Sequence, residues 1–194
     1  MRRGTGWAVM GMVCGLALAA CTGEAQDPPT TTAATTAAPS PSETPTATPT
    51  PDAATPPERP DMSAVDAATA EVVARYFLEL YPYVYATGDL TEWRALSHPD
   101  CIFCASVITN VEEMVAAGET VSGAQVALSD IVTTPISDSY FNVELTAEQG
   151  ASSRLDSSGS LIGRTPPSTY RMAVGALYED GTWRIRGVDT DVNQ

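Results

Sequence analysis

The sequence predicts an α+β domain in which three N-terminal helices pack on a curved antiparallel sheet of about four strands, with a disordered stalk before it. Three observations predict this organisation. Apolar residues recur with helical spacing between residues 62 and 118, apolar and polar residues alternate between 126 and 188, and ten prolines lie within 22–61. Helices followed by antiparallel strands are typical of the α+β class.

Residues 1–20 have the features of a secretory signal peptide. A basic start precedes Trp7–Ala20, which is apolar but shorter than the roughly 20 residues that cross a bilayer. Leu18-Ala19-Ala20-Cys21 resembles the lipobox of bacterial lipoproteins, whose cysteine receives diacylglycerol and becomes the N-terminus. The resemblance implies that Cys21 carries lipid. The alternative is an ordinary signal peptide with a chance cysteine at its end.

Residues 21–61 are predicted to be the lipidated Cys21 followed by a disordered Pro/Thr-rich stalk. Thr22–Asp61 has ten prolines, eleven threonines and no aromatic residue. Such a segment cannot bury enough apolar surface to offset its ordering entropy. Two acyl chains anchor a protein stably, so we expect a lipid-anchored protein on the extracellular face of the cell membrane.

Residues 62–194 are predicted to be a single domain of ordinary size. They hold 18 acidic side chains, 7 arginines and no lysine, a net charge of −11. Nucleic-acid binding needs clustered basic residues, so this composition excludes it, and the domain should repel anionic lipids and polymers.

The first and longest helix is predicted from its caps and its apolar face. Ser63 with Asp66 predicts an N-cap and an acidic first turn, Pro82 should kink or interrupt the helix near Leu80, and Gly88 should end it. Its apolar face consists of Val72, Val73, Tyr76, Phe77, Leu80, Tyr81 and Val84.

Two more helices and the strands follow. Asp89 and Glu92 are in capping-box spacing for a short helix, and a third helix should begin near Asp100 and end at Gly118. The buried stripe of the third helix is predicted to be Cys104, Val107, Ile108, Val111 and Val115. The strand-like stretches are 126–131, 141–146, 170–176 and 183–188, with a hairpin at Asp180-Gly181 and a long surface loop at 149–167.

This order of elements resembles the nuclear-transport-factor-2-like superfamily, also called the SnoaL-like or cone fold. The residues that carry the resemblance are Tyr85-Ala86-Thr87-Gly88-Asp89, Leu90, Leu96 and the final Asp180–Ile185 hairpin. It covers Val65–Val188 and implies a cone-like domain. By analogy alone it also implies a homodimer through the open sheet face. Leu96–Cys104 is similar to the cysteine signature of an actinobacterial lipoprotein family of undescribed function, which supplies no catalytic residue.

Cys101 and Cys104 have three interpretations. An oxidising compartment favours a structural disulfide. A helix N-terminus lowers a thiol pKa, as a redox pair requires, but a proline-containing loop rather than a strand precedes this pair. His98 could join them as a third metal ligand, yet no second cluster completes a site. The sequence favours the disulfide and predicts no metal and no cofactor.

Six residues are candidates for lining a pocket, namely Tyr76, Trp93, His98, Phe103, Tyr170 and Trp183. Buried aromatic residues usually belong to the core, and only a void among them would indicate a ligand. His98 is the only histidine, and no second acid–base group can be tied to it by spacing, so a surface or capping role is favoured over that of a general base.

The sequence therefore favours a surface-exposed lipoprotein with a non-catalytic head that binds a small ligand, an envelope polymer or an envelope protein. Whether it is an enzyme stays open. The alternatives are a cone-fold isomerase, dehydratase or cyclase that works in a hydrophobic cavity, and, less favoured, a thiol–disulfide redox protein.

Overall fold

The computed structural model describes residues 54–192, which form three helices and seven strands. The helices are α1 (Ala67–Thr87), α2 (Thr91–Leu96) and α3 (Ile102–Ala116). The strands are β1 (Thr120–Gly123), β2 (Val126–Pro135), β3 (Tyr140–Gln149), β4 (Ser152–Leu155), β5 (Leu161–Thr165), β6 (Ser168–Glu179) and β7 (Thr182–Val192). The predicted signal peptide, Cys21 and most of the predicted stalk lie outside the described residues.

Helix α1 begins later than the sequence suggests. The carboxylate of Asp66 accepts a hydrogen bond of 2.8 Å from the Thr69 N–H, so Asp66 is the N-cap and the Ser63 cap is wrong. The helix continues through Pro82 and ends, as predicted, at Gly88, whose φ of 76° suits glycine.

The two shorter helices are present with different caps. Asp89 accepts a hydrogen bond of 3.0 Å from the Thr91 N–H, and Leu90 is the N-cap of α2, so the predicted capping box is wrong. Helix α3 follows Cys101 and buries Cys104, Val107, Val111 and Met114. Val115, expected in this stripe, is exposed, because the buried stripe continues from Val111 to Met114 and Val115 lies beside Gly88 instead.

The four predicted strands form one antiparallel sheet in the order β2-β3-β6-β7. Alternation places one set of β3 and β6 side chains on a common inner face, where Phe141 pairs with Ala176, Val143 with Val174, Leu145 with Met172 and Ala147 with Tyr170. Helix α1 contacts β2, β3, β6 and β7, while α2 and α3 contact β7. The α+β class and this layering are confirmed.

The strand count of about four is wrong, because the described residues contain a second sheet in the order β1-β4-β5. The stretch 149–167 is therefore largely a hairpin rather than a surface loop. Val121 pairs with Arg154, and Ser153 pairs with Arg164. These strands have four or five residues, none of them buried, so their sequence shows no apolar alternation.

Candidate functional site

A cavity of about 180 Å³ opens between the helices and the inner sheet face. It lies beside the first half of β6, where the small Ala147 is the β3 partner of Tyr170 and leaves space next to the phenol ring. Tyr81, Phe103 and Met172 are half-buried, so the cavity reaches the surface. Its lining consists of Leu78, Tyr81, Phe103, Val126, Ala147, Gln149, Tyr170, Met172 and Thr190.

The chemistry of this cavity is apolar with a few hydroxyl groups and one amide. None of the side chains lining it is a carboxylate, imidazole, guanidinium or thiol. Burial, with the neighbouring phenols of Tyr85 and Tyr170, raises the pKa of the Tyr81 phenol well above its ordinary value. Tyr81 therefore keeps its proton at physiological pH and can donate a hydrogen bond to a ligand.

Two of the six predicted pocket residues line this cavity, namely Phe103 and Tyr170. Trp93 and Trp183 instead fill the core. Trp93 stacks on Phe77 at 4.0 Å between ring centroids, and its indole N–H donates to the Cys104 carbonyl. Both indoles are fully packed, which is the usual environment of a buried aromatic residue.

Tyr76 is also buried, with its hydroxyl 3.5 Å from a Glu92 carboxylate oxygen that pairs with Arg59.

Tyr81 and Met172 line the cavity but were not predicted as pocket residues. Tyr81 lies four residues after Phe77 on one helix face, and Met172 lies two residues after Tyr170 on one strand face. The same spacing that places them beside the cavity also suits ordinary core residues.

His98 belongs to a separate charged cluster at the turn between β6 and β7. Its Nδ1 accepts a hydrogen bond of 3.1 Å from the Asp100 N–H, and its Nε2 lies 3.2 Å from a Glu179 carboxylate oxygen. Arg186 pairs with Asp100 at 2.8 Å, and Arg184 lies 3.9 Å from Glu179. The hydrogen bond from the Asp100 N–H to His98 stabilises the turn that precedes α3.

His98 does not line the cavity. The His98 N–H donates to the Ile185 carbonyl, and Ile185 pairs with Ala176, which lies four residues, or about 13 Å along a strand, from the cavity-lining Met172. His98 is therefore not placed to exchange a proton with a molecule in the cavity.

Cys101 and Cys104 form a disulfide across the first turn of α3. Cys101 is 1% exposed and Cys104 is 0% exposed. The Cys101 sulfur accepts a hydrogen bond of 3.2 Å from the Cys104 N–H and so caps the helix. The bond leaves neither sulfur free as a thiolate for metal binding or nucleophilic attack.

Residues 54–192 contain no group of three or more His, Cys, Asp or Glu side chains placed to hold a metal ion. Over the same range, no helix has the length and hydrophobicity needed to cross a bilayer.

Comparison with known proteins gives a family and a fold. Residues 28–189 match a family model described as a family of unknown function, DUF6318. No curated protein matches the chain. The intermembrane space region of the chloroplast protein ARC6 is similar with a TM-score of 0.51 and 13% identity, over 67% of this chain and 99% of that chain.

Two further solved structures are similar at lower scores. One is an NTF2-like protein from Cytophaga hutchinsonii, with a TM-score of 0.46 and 15% identity over 62% of this chain and 93% of that chain. The other is described as an NTF2-like protein of unknown function in nutrient uptake from Rhodospirillum rubrum. It has a TM-score of 0.42 and 20% identity, over 66% of this chain and 99% of that chain.

Proposed function

The chain belongs to the DUF6318 family, whose function is unknown, and we propose that it is a membrane-tethered lipoprotein whose head domain binds a small apolar ligand without transforming it. The observation that carries the proposal is the cavity beside Tyr81 and Tyr170, whose lining is largely apolar and contains no carboxylate, imidazole or thiol. A cavity with an apolar wall and few hydrogen-bonding groups is typical of a binding site.

The size of the cavity limits the ligand. Its volume of about 180 Å³ is below the range of about 300–1,000 Å³ that is usual for drug-sized ligands. The ligand is therefore small, or it inserts one apolar end and leaves the rest outside. The protonated Tyr81 hydroxyl can donate to an oxygen on that end, so an apolar alcohol or carbonyl compound is favoured over a pure hydrocarbon.

The same features disfavour the enzyme alternative. Isomerases and dehydratases need a group that accepts a proton within about 3 Å of the substrate. The raised pKa of Tyr81 makes it a poor base, and His98 is not among the residues that line the cavity. A thiol–disulfide activity is disfavoured because thiol exchange requires an exposed sulfur, and both Cys101 and Cys104 are buried.

The ligand proposal can be tested with two matched probes, benzyl alcohol and toluene, and an NMR spectrum of the full chain labelled at methionine methyl groups. Both probes should shift the Met172 methyl signal with Kd values of about 1 mM, typical of weak sites. Ala147→Leu should abolish both shifts by filling the cavity. Tyr81→Phe should weaken the binding of benzyl alcohol by roughly 3- to 10-fold and leave the binding of toluene unchanged.

The matched control is Thr146→Val, which changes a β3 side chain on the opposite face of the sheet from Ala147. It should bind both probes as the wild type does. If neither probe shifts the Met172 signal, or if Ala147→Leu binds both equally well, the cavity is not a ligand site.

The tether is supported by Leu18–Cys21 and by the proline-rich Thr22–Asp61 tract. Cells that express the full chain should incorporate radioactive palmitate into it. Cys21→Ser should abolish the label, whereas Cys14→Ser, in the apolar part of the signal, should not. A Cys21→Ser chain that still takes up palmitate would disprove lipidation at this residue.

A further inference from the structure

The outer face of the four-stranded sheet carries an open groove of about 490 Å³, distinct from the cavity on the inner face. Residues of β3, β6 and β7 line it. Its floor is formed by small residues, because Gly175 and Gly187 are direct partners across β6 and β7 and Ala173 follows on the same face. A strand normally places a side chain at each of these positions, so the missing side chains create the depression.

Tyr140 lies across this floor. A Cβ atom added at Gly175 would lie 2.6 Å from the Tyr140 hydroxyl and 3.2–3.3 Å from two carbon atoms of its ring. The absence of a side chain at Gly175 therefore lets the hydroxyl end of the Tyr140 ring rest on β6. Since Tyr140 also lines the groove and is half-buried, part of its ring is available to a molecule in the groove.

Polar side chains surround this aromatic surface. Asn142, Arg186 and Asp189 line the groove. The Arg186 guanidinium is held by Asp100 at 2.8 Å, which fixes its position, and Asp189 is exposed. The groove thus combines an aromatic surface with an amide, a guanidinium and a carboxylate, which together supply both donors and acceptors.

We propose that this groove binds a ring of a neutral saccharide. One face of a pyranose ring presents C–H groups, which can pack on the Tyr140 ring, while its edge presents hydroxyl groups that act as donors and acceptors. Amide, guanidinium and carboxylate side chains at the rim match those hydroxyls. A neutral sugar fits better than an anionic one, because the domain carries a net charge of −11.

A second copy of the chain is a less suitable occupant. Glu144 and Glu148 are exposed on the same face of β3, and pairing two such faces would bring two acidic domains together. The saccharide site does not rest on the cavity on the inner face, so the two proposals can fail independently.

Gly187→Val provides a direct test. A Cβ atom at Gly187 would meet nothing within 4 Å, so this position of the groove lining has space for a side chain, and valine is favoured in strands. Calorimetric titration of the full chain with triacetylchitotriose and with maltotriose should detect binding of at least one, with a Kd of about 1 mM. Gly187→Val should weaken this binding about tenfold or more.

Tyr140→Leu should also weaken binding, because leucine keeps an apolar side chain over Gly175 but removes the aromatic ring. Thr146→Val, on the same face but outside the groove lining, is the control and should bind as the wild type does. The far-ultraviolet circular dichroism spectrum and the thermal unfolding midpoint of Gly187→Val should match those of the wild type, which shows that the variant is folded.

Three results would overturn the saccharide site. The first is that neither oligosaccharide binds the wild-type chain at about 10 mM, a concentration well above the expected Kd. The second is that Gly187→Val binds as tightly as the wild type. The third is that sedimentation shows a wild-type dimer that Gly187→Val dissociates, which would assign the groove to contacts between copies.

Discussion

The two ends of the inner sheet face differ although both are rich in aromatic residues. At the closed end, Trp183 packs against Phe141 and Tyr178 with ring centroids 5.7 and 5.5 Å away, and its indole N–H donates to the Ala64 carbonyl at 3.2 Å. At the open end, Tyr170 and Phe103 border a cavity of about 180 Å³.

The difference comes from what faces each end. At the closed end, the chain before α1 adds a backbone carbonyl at Ala64 that satisfies the indole. At the open end, the strand partner of Tyr170 is Ala147, whose small side chain cannot fill the adjacent space. Aromatic residues on a strand therefore do not distinguish a filled core from a cavity. The size of the side chains around them determines whether space remains.

The largest expected effect is the loss of stability on removal of the Trp183 side chain. Trp183→Ala should lower the free energy of unfolding by about 3–5 kcal/mol, because it empties a fully packed position. Tyr170→Ala should cost only about 1–2 kcal/mol, since this residue is half-buried beside existing space. Urea denaturation of both variants measures the difference. Equal costs would mean that the two ends are packed alike.

A matched insertion tests the same comparison with a smaller effect. Ala176→Leu at the closed end should destabilise the domain by about 1–3 kcal/mol through overpacking. Ala147→Leu at the open end should change the free energy of unfolding by less than about 1 kcal/mol, because the added methyl groups enter the cavity. Thermal unfolding of the two variants measures the difference. A larger loss of stability in Ala147→Leu than in Ala176→Leu would contradict the presence of free space at the open end.

The smallest expected effect is pH-dependent and concerns the closed end. The hydrogen bond from the Thr69 N–H lowers the pKa of Asp66 below its ordinary value of 3.8. The charged Asp66 therefore stabilises the fold above pH 3.8, and this contribution is lost as the pH falls through the lowered pKa. Asp66 follows the Ala64 carbonyl that receives the Trp183 indole, so acid should weaken that contact.

Asp66→Asn is the corresponding variant, because asparagine keeps the capping oxygen and does not titrate in acid. Tryptophan fluorescence is followed from pH 6 downward, and each protein's signal is divided by its own signal at neutral pH. The fluorescence of the wild type should begin to change at a higher pH than that of Asp66→Asn. Superimposable acid profiles would show that this cap does not couple to Trp183.

Much of the fold could be predicted from local patterns. The four long strands, the end of α1 at Gly88 and the Asp180-Gly181 hairpin all follow from periodicity or from turn chemistry. The strands β1, β4 and β5 could not be predicted, because they are short and none of their residues is buried. Their pairing of Val121 with Arg154 also joins residues that are distant in the chain.

Of the site, the sequence indicated Phe103 and Tyr170 but also Trp93 and Trp183 as equal candidates. All four are aromatic residues on buried faces, so local spacing could not separate them. The saccharide groove could not be predicted either, because it depends on Gly175 and Gly187 being partners on adjacent strands.

The sequence by itself determined the α+β class, the acidic character of the domain and the closeness of Cys101 to Cys104. These properties depend on composition and on residues near one another along the chain. Only the tertiary structure decided where space remains, beside Tyr170 and above Gly187, because a void is defined by the side chains that surround it. Those side chains come from strands and helices far apart in the sequence.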